Sequence, residues 1–160
     1  MMFWTKTTLP IGDVYIAQTN GKVCYIGFSP SHKFIQQGTR KDVDLLLNKV
    51  RKELEEYCEG TRTEFSFPWT IPVATPFQQS VWDAISQVPY GHTTTYTDLA
   101  QSVEKPKAVR AVGTTCGANQ LAIVIPCHRI MPLSGTLGGY AGGVEVKQKL
   151  LQIEQNHGTS

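Results

Sequence analysis

Residues 123–129 read Ile-Val-Ile-Pro-Cys-His-Arg, and the rest of the chain is best understood from them outward. Ile123, Val124 and Ile125 form an unbroken aliphatic row, as in a short strand covered on both faces. Pro126 ends it. Continued extension would send Cys127 and His128 to opposite sides, so a useful pair requires a turn here. Proline suits the first position of a helical turn, which would put the Cys127 thiol near backbone N–H groups and partial positive charge. A lowered thiol pKa is expected, and His128 beside it adds a second reason for a thiolate. Most free cysteines are small buried hydrophobes without chemistry, so the thiol alone does not decide the matter.

The chain has 160 residues, enough for one ordinary domain or two small ones. With 41% hydrophobic and 18% charged residues it is globular rather than disordered or fibrous. A formal charge of +2 does not announce a nucleic-acid partner, so any DNA binding must rest on a local motif. Cys24, Cys58, Cys116 and Cys127 show no CxxC or finger spacing, and His32, His92, His128 and His157 form no ligand cluster. No metal or other cofactor is expected. Without a signal peptide or long apolar segment, a cytoplasmic protein with free thiols and no membrane association is expected.

Residues 1–74 read as a small α/β scaffold domain. Val14 and Ile16, then Val23, Tyr25 and Gly27, alternate across Asn20-Gly21, a strong hairpin signal. Val43, Leu46, Leu47, Val50, Leu54 and Tyr57 follow helical spacing, with Gly60 at the C-terminal cap. Phe67-Pro68-Trp69-Thr70-Ile71-Pro72 reads as an ordered linker.

A mainly α domain is expected over residues 75–160. Thr75-Pro76-Phe77-Gln78 opens a helix with a hydroxyl cap, and Phe77, Val81, Ala84, Ile85 and Val88 keep one apolar face. Thr95-Tyr96-Thr97-Asp98 caps another helix. A loop at 104–106 leads to a helix from Lys107 to about Gly117, so the pair can form a helix-turn-helix. On that second helix Val109, Val112 and Cys116 are apolar, whereas Arg110, Gly113, Thr114 and Gly117 make another face. Its two glycines weaken the helix by roughly 1 kcal/mol each, and a smooth face with one arginine suits either tight packing or DNA. Residues 135–143 are glycine-rich, which suits a flexible loop or a wrap around a planar base. The last helix starts near Val144 and sets Glu154 on the face of Leu150 and Leu151, where it either frays into solvent or finds a partner such as His128.

The string Ile-Pro-Cys-His-Arg, with Asn119 before it and Gly139-Tyr140-Ala141-Gly142-Gly143 after it, resembles the active-site signature of the O6-alkylguanine-DNA alkyltransferases, also called methylated-DNA-protein-cysteine methyltransferases. The resemblance runs from about Thr75 to Glu154 and is weaker before that. It implies a ribonuclease-H-like N-terminal domain and a C-terminal domain with a winged-helix-like helix-turn-helix. It implies a monomer that acts on double-stranded DNA containing O6-alkylguanine and moves the alkyl group irreversibly to Cys127. His128 would be the base through a water, Glu154 its orienting carboxylate, Tyr96 the donor to guanine N3 and Asn119 the hinge. Arg110 would fill the space of the extruded nucleotide, with Tyr96, Ala111, Gly113 and Thr114 at the DNA. Tyr140, Ala141, Gly142 and Ile130 would line the substrate pocket, and Arg129 would brace the site. Gly142 suggests room for alkyl groups larger than methyl.

The chain departs from the family pattern in two places. Gln120 stands where proline is common, and the two-Cys, two-His zinc set of some relatives is reduced to Cys24. Two other readings share some features. A lesion sensor lacking the acceptor cysteine is opposed by Cys127, and a Cys–His hydrolase would turn over many times.

Overall fold

The Asn20-Gly21 hairpin forms as its sequence predicts, with both residues in the left-handed region at φ 51° and 76°. This computed structural model describes residues 1–71 and 74–157, and the chain divides into two compact units, Met1–Pro72 and Val73–Ser160. Pro72 of the expected linker lies outside the described residues.

The N-terminal unit is built on a four-stranded sheet. Strands β1 (Met2–Leu9), β2 (Gly12–Thr19) and β3 (Lys22–Gly27) are an antiparallel meander. Helix α1 (Lys33–Gln37) then leads to β4 (Thr39–Arg40), which pairs parallel to β1 and gives the order β3-β2-β1-β4. Trp4, Tyr15 and Ala17 share the face that packs with Phe34 and Ile35 of α1. Helix α2 (Leu45–Glu59) buries Leu47, Val50, Leu54 and Tyr57. Asp44 caps it through the Leu47 N–H, and Gly60 closes it in the left-handed conformation. Val43, expected on the buried stripe, precedes the helix and is exposed, because Asp44 takes the cap. Beyond α2 the chain runs along β3, where the Val23 N–H donates to Pro68 O and the Thr70 N–H to Val23 O. That segment pairs an edge strand that would otherwise be open.

The C-terminal unit is helical. Helix α3 (Pro76–Ser86) starts with the reciprocal capping box of Thr75 and Gln78 and buries Val81, Trp82 and Ile85. Strand β5 (Thr94–Thr95) runs into α4 (Tyr96–Ser102), capped by Thr95 through the Asp98 N–H. Helix α5 (Val109–Gly117) begins two residues later than expected and has no side-chain cap, since Ala108 occupies that position. Trp82 Nε1 donates to Thr115 O and ties α3 to α5. A single 3-10 turn, Cys127–Arg129, precedes β6 (Ile130–Met131), which pairs parallel with β5. Helix α6 (Val144–His157) closes the unit and contacts the 3-10 turn.

The row Ile123-Val124-Ile125 is buried apart from Val124, but it is a turn and not the strand that its composition suggests. The Ile125 N–H donates back to Leu121 O, and Ile123 sits at φ 74°. Asn119 overrides the propensity. Its amide donates to Ile125 O at 2.8 Å while its carbonyl oxygen accepts from the Leu121 N–H at 2.9 Å, so one side chain holds both ends of the turn.

Candidate active site

Pro126 does not lead a helical turn as expected. At φ −81° and ψ 62° it is the centre of an inverse γ-turn in which the Cys127 N–H donates to Ile125 O at 2.8 Å. The backbone donor that was to stabilise a thiolate is therefore already used. Cys127 is buried, and a hydrogen-bonding contact with the Cys116 thiol, followed by burial itself, pushes its pKa well above the ordinary range. Asn119 and the Lys147 ammonium act in the opposite direction without prevailing. The resting group is a neutral thiol, which corrects the expectation of a thiolate.

The same turn delivers His128 and Arg129 to α6. His128 Nε2 lies 2.6 Å from Glu154 Oε2, and both groups are fully buried. Arg129 grips the same carboxylate in a fork, Nε to Oε1 at 2.8 Å and Nη2 to Oε2 at 2.9 Å. Its Nη1 donates to Val88 O, and the Gly91 N–H donates to Glu154 Oε1 at 3.2 Å. Burial alone would raise the Glu154 pKa, but hydrogen bonds from His128 and Arg129 overcome it and hold the carboxyl at about 2. Burial lowers the His128 pKa against the opposing pull of Glu154, so the imidazole is neutral at physiological pH. Arg129, not His128, balances the carboxylate charge.

Cys127 opens onto a pocket of about 310 Å³ lined by Tyr96, Gly113, Cys116, Gly117, Gly139 and Tyr140. Burial, then the nearby Cys116 and Cys127, push the Tyr96 phenol up to about 12, so it remains a hydrogen-bond donor. The Tyr140 phenol is likewise pushed up, by burial and then by Cys127 and Glu154. Tyr96 and Gly113 are shared with an open groove along α5, which is also lined by Arg110, Thr114, Pro132 and Leu133. Arg110 and Ala111 are exposed on this helix and border a second groove with Lys107. Of the remaining expected pocket residues, Ile130 is fully buried, and Ala141 and Gly142 follow Tyr140 without lining the pocket.

Sequence reasoning missed two contributors. Lys147 is completely buried on α6, its Nζ donating to Ile130 O at 2.7 Å, and it responds to charge on both Cys116 and Cys127. Residues 147, 150, 151 and 154 share one helical face, so the spacing that exposed Glu154 could have found it. The other is the turn at 88–91, whose backbone serves Arg129 and Glu154 and carries no side-chain signal. Among the described residues, no three His, Cys, Asp or Glu side chains gather as metal ligands.

A thiol at the pocket, a neutral buried imidazole with its carboxylate, and a helix pair presenting a groove define a protein that carries out thiol chemistry beside a macromolecular surface. Comparisons with known proteins agree. The family described as 6-O-methylguanine DNA methyltransferase, DNA binding domain, matches residues 76–156, and its ribonuclease-like domain matches residues 2–71. The constitutive methylated-DNA–protein-cysteine methyltransferase of Bacillus subtilis is 38% identical over 160 residues, covering 97% of this chain and 96% of its own. The crystal structure of the Mycobacterium tuberculosis O6-methylguanine methyltransferase aligns with a TM-score of 0.88 at 32% identity, covering 100% of this chain and 96% of that one. A structure of the Mycobacterium tuberculosis protein in complex with DNA aligns with a TM-score of 0.85 at 32% identity, covering 97% and 94%. The chain belongs to the 6-O-methylguanine DNA methyltransferase family.

Proposed function

We propose that this protein repairs DNA by direct reversal, taking the alkyl group from O6 of an alkylated guanine onto Cys127 in a single irreversible step. The observation that carries this reading is the placement of Cys127 at a pocket walled by two phenols, with the His128–Glu154 pair buried next to it in sequence and space. The N-terminal unit is read as ribonuclease-H-like, and α4 with α5 as a helix-turn-helix of winged-helix type. The protein acts as a cytoplasmic monomer.

The target guanine leaves the duplex and enters the pocket while Arg110 fills the space it vacates. Ala111, Gly113 and Thr114 let α5 approach the groove closely. Because the resting thiol is neutral, reaction begins with proton transfer. His128, through a water, receives the Cys127 proton, and Glu154 holds the imidazole in the correct tautomer. The Cys127 sulfur then attacks the alkyl carbon as its bond to O6 breaks. Tyr96 donates to N3 and meets the charge developing on the departing ring, a donor role that its raised pKa preserves. The peptide unit at Ala141 serves O6, with Tyr140 walling the pocket and Gly142 and Ile130 supporting it from outside its lining, and Asn119 couples α5 to the thiol. Arg129 fixes Glu154 and does not touch substrate.

Thioether formation has no return path, so each molecule acts once. Titration with excess duplex carrying a labelled O6-methylguanine tests this: label incorporation should plateau at one methyl per protein. Continued release of labelled product would indicate a turnover hydrolase, and tight lesion binding without incorporation would indicate a sensor.

A further inference from the structure

Cys116 is the part of the pocket for which the proposed reaction has no use. It projects from α5 into the same 310 Å³ space as Cys127, and the two thiols are close enough to perturb one another electrostatically. Tyr96 lines the same space, and the buried Lys147 ammonium is near enough to respond to charge on either thiol. Two nucleophilic sulfurs thus face the position that a transferred alkyl group must occupy, whereas Cys24 and Cys58 belong to the N-terminal unit.

We propose that Cys116 is a second alkyl acceptor, capturing the far carbon of a two-carbon group that carries its own leaving group. The substrate class is O6-(2-haloethyl)guanine in DNA, and the product is an ethylene bridge between Cys127 and Cys116. This rests on the alkyl-transfer reading above. In the first step the Cys127 sulfur bonds the methylene on O6, the carbon–oxygen bond breaks, and guanine leaves with a proton on its ring. The Cys127 side chain now ends in a haloethyl thioether. In the second step the Cys116 sulfur bonds the carbon bearing the halogen, the halide departs with the bonding pair, and the thiol proton passes to solvent. No oxidant or reductant enters.

Geometry favours this bridge over a disulfide. An S–C–C–S link keeps its sulfurs about one non-bonded contact apart, roughly 4 Å. A disulfide requires the sulfurs at about 2.05 Å and a restricted dihedral angle. Both reacting groups are held in one pocket, so closure competes with water or a DNA base as an intramolecular reaction. The site therefore discharges a reactive adduct inside the protein instead of leaving it facing DNA.

The test uses the full chain and a duplex with one O6-(2-chloroethyl)guanine, read by intact mass and by fragmentation of the tryptic peptide 111–129, which contains both cysteines. The expected product has gained C2H2, contains no chlorine, has lost two alkylatable thiols, and does not fragment between 116 and 127. In Cys116→Ser the expected product is instead a hydroxyethyl or chloroethyl group on Cys127, or a crosslink to DNA. A wild-type product with monosubstituted Cys127 and a free Cys116 thiol would overturn the proposal. An O6-methylguanine duplex is run in parallel: methyl transfer without bridging sinks only the second acceptor, whereas failure of methyl transfer sinks both readings.

Discussion

Glu154 Oε2 sits 2.6 Å from His128 Nε2 inside the protein, and the carboxylate stays ionised there because hydrogen bonds from His128 and from Arg129, which forks onto both of its oxygens, outweigh burial. The three groups therefore act as a unit, with different costs for removing each.

Glu154→Gln leaves Arg129 buried beside an amide and should destabilise the C-terminal unit by roughly 3–5 kcal/mol, as expected for breaking a buried ion pair. The sign with pH follows from the lowered carboxyl. Its stabilisation is complete above the ordinary value of 4.5 and is lost as pH falls from there toward about 2. His128, held neutral below its ordinary 6.5, adds a loss that begins higher, as pH falls through that value. Urea midpoints measured from pH 7 to pH 3 should decline in wild type, and Glu154→Gln should show a lower midpoint with a flatter dependence below pH 4.5.

The free thiol should be sluggish. With the Cys127 pKa raised, iodoacetamide should label it slowly at pH 7 and faster as pH rises beyond 9, compared with the unfolded chain. Rapid labelling at neutral pH, located by peptide mapping, would contradict a neutral resting thiol.

Tyr96→Phe removes the donor aimed into the pocket while keeping its ring. Single-turnover methyl transfer should slow by about 10²-fold, in the range found for loss of one preorganised donor, with duplex affinity little changed. Stopped-time quench assays at saturating protein separate the two quantities.

Arg110→Ala should slow methyl transfer while the salt slope of duplex binding stays unchanged, because the side chain fills a vacated base site. Weaker binding to every duplex sequence, with a salt slope reduced by about one phosphate-equivalent, would show instead that the side chain meets the DNA backbone. Fluorescence anisotropy across a salt series distinguishes the outcomes.

At Ile123 two effects oppose each other. Ile123→Gly relieves a β-branched residue at φ 74°, a gain of roughly 1–2 kcal/mol. It also empties a site that is 2% exposed, a loss of roughly 2–5 kcal/mol or more. Cavity formation wins, so the variant should be less stable by a few kcal/mol in denaturant melts.

Local chemistry was legible in the sequence wherever a short-range rule sets the outcome. Asn20-Gly21, Gly60, Thr75 with Gln78, and Thr95 with Asp98 each form the turn or cap that their side chains dictate. The misplaced Glu154 on an apolar stripe has partners, as its desolvation requires. Long-range determinants were not legible. Ile123-Val124-Ile125 reads as a strand by composition, yet two hydrogen bonds of the Asn119 side chain, one donated to Ile125 O and one accepted from the Leu121 N–H, bend it into a turn. The thiol pKa was misjudged for a related reason: the γ-turn at Pro126 uses the Cys127 N–H, and Cys116 arrives from another helix. β4 has two residues and pairs with β1 across 35 intervening positions, too little pattern for any local rule to find.

The most direct test of Cys127 as the acceptor is intact-protein mass spectrometry after mixing with a duplex that contains one O6-methylguanine, followed by peptide mapping. One added methyl group, located on Cys127 and absent from Cys127→Ser, is the predicted result. An unchanged mass, or a methyl group on another residue, would contradict it.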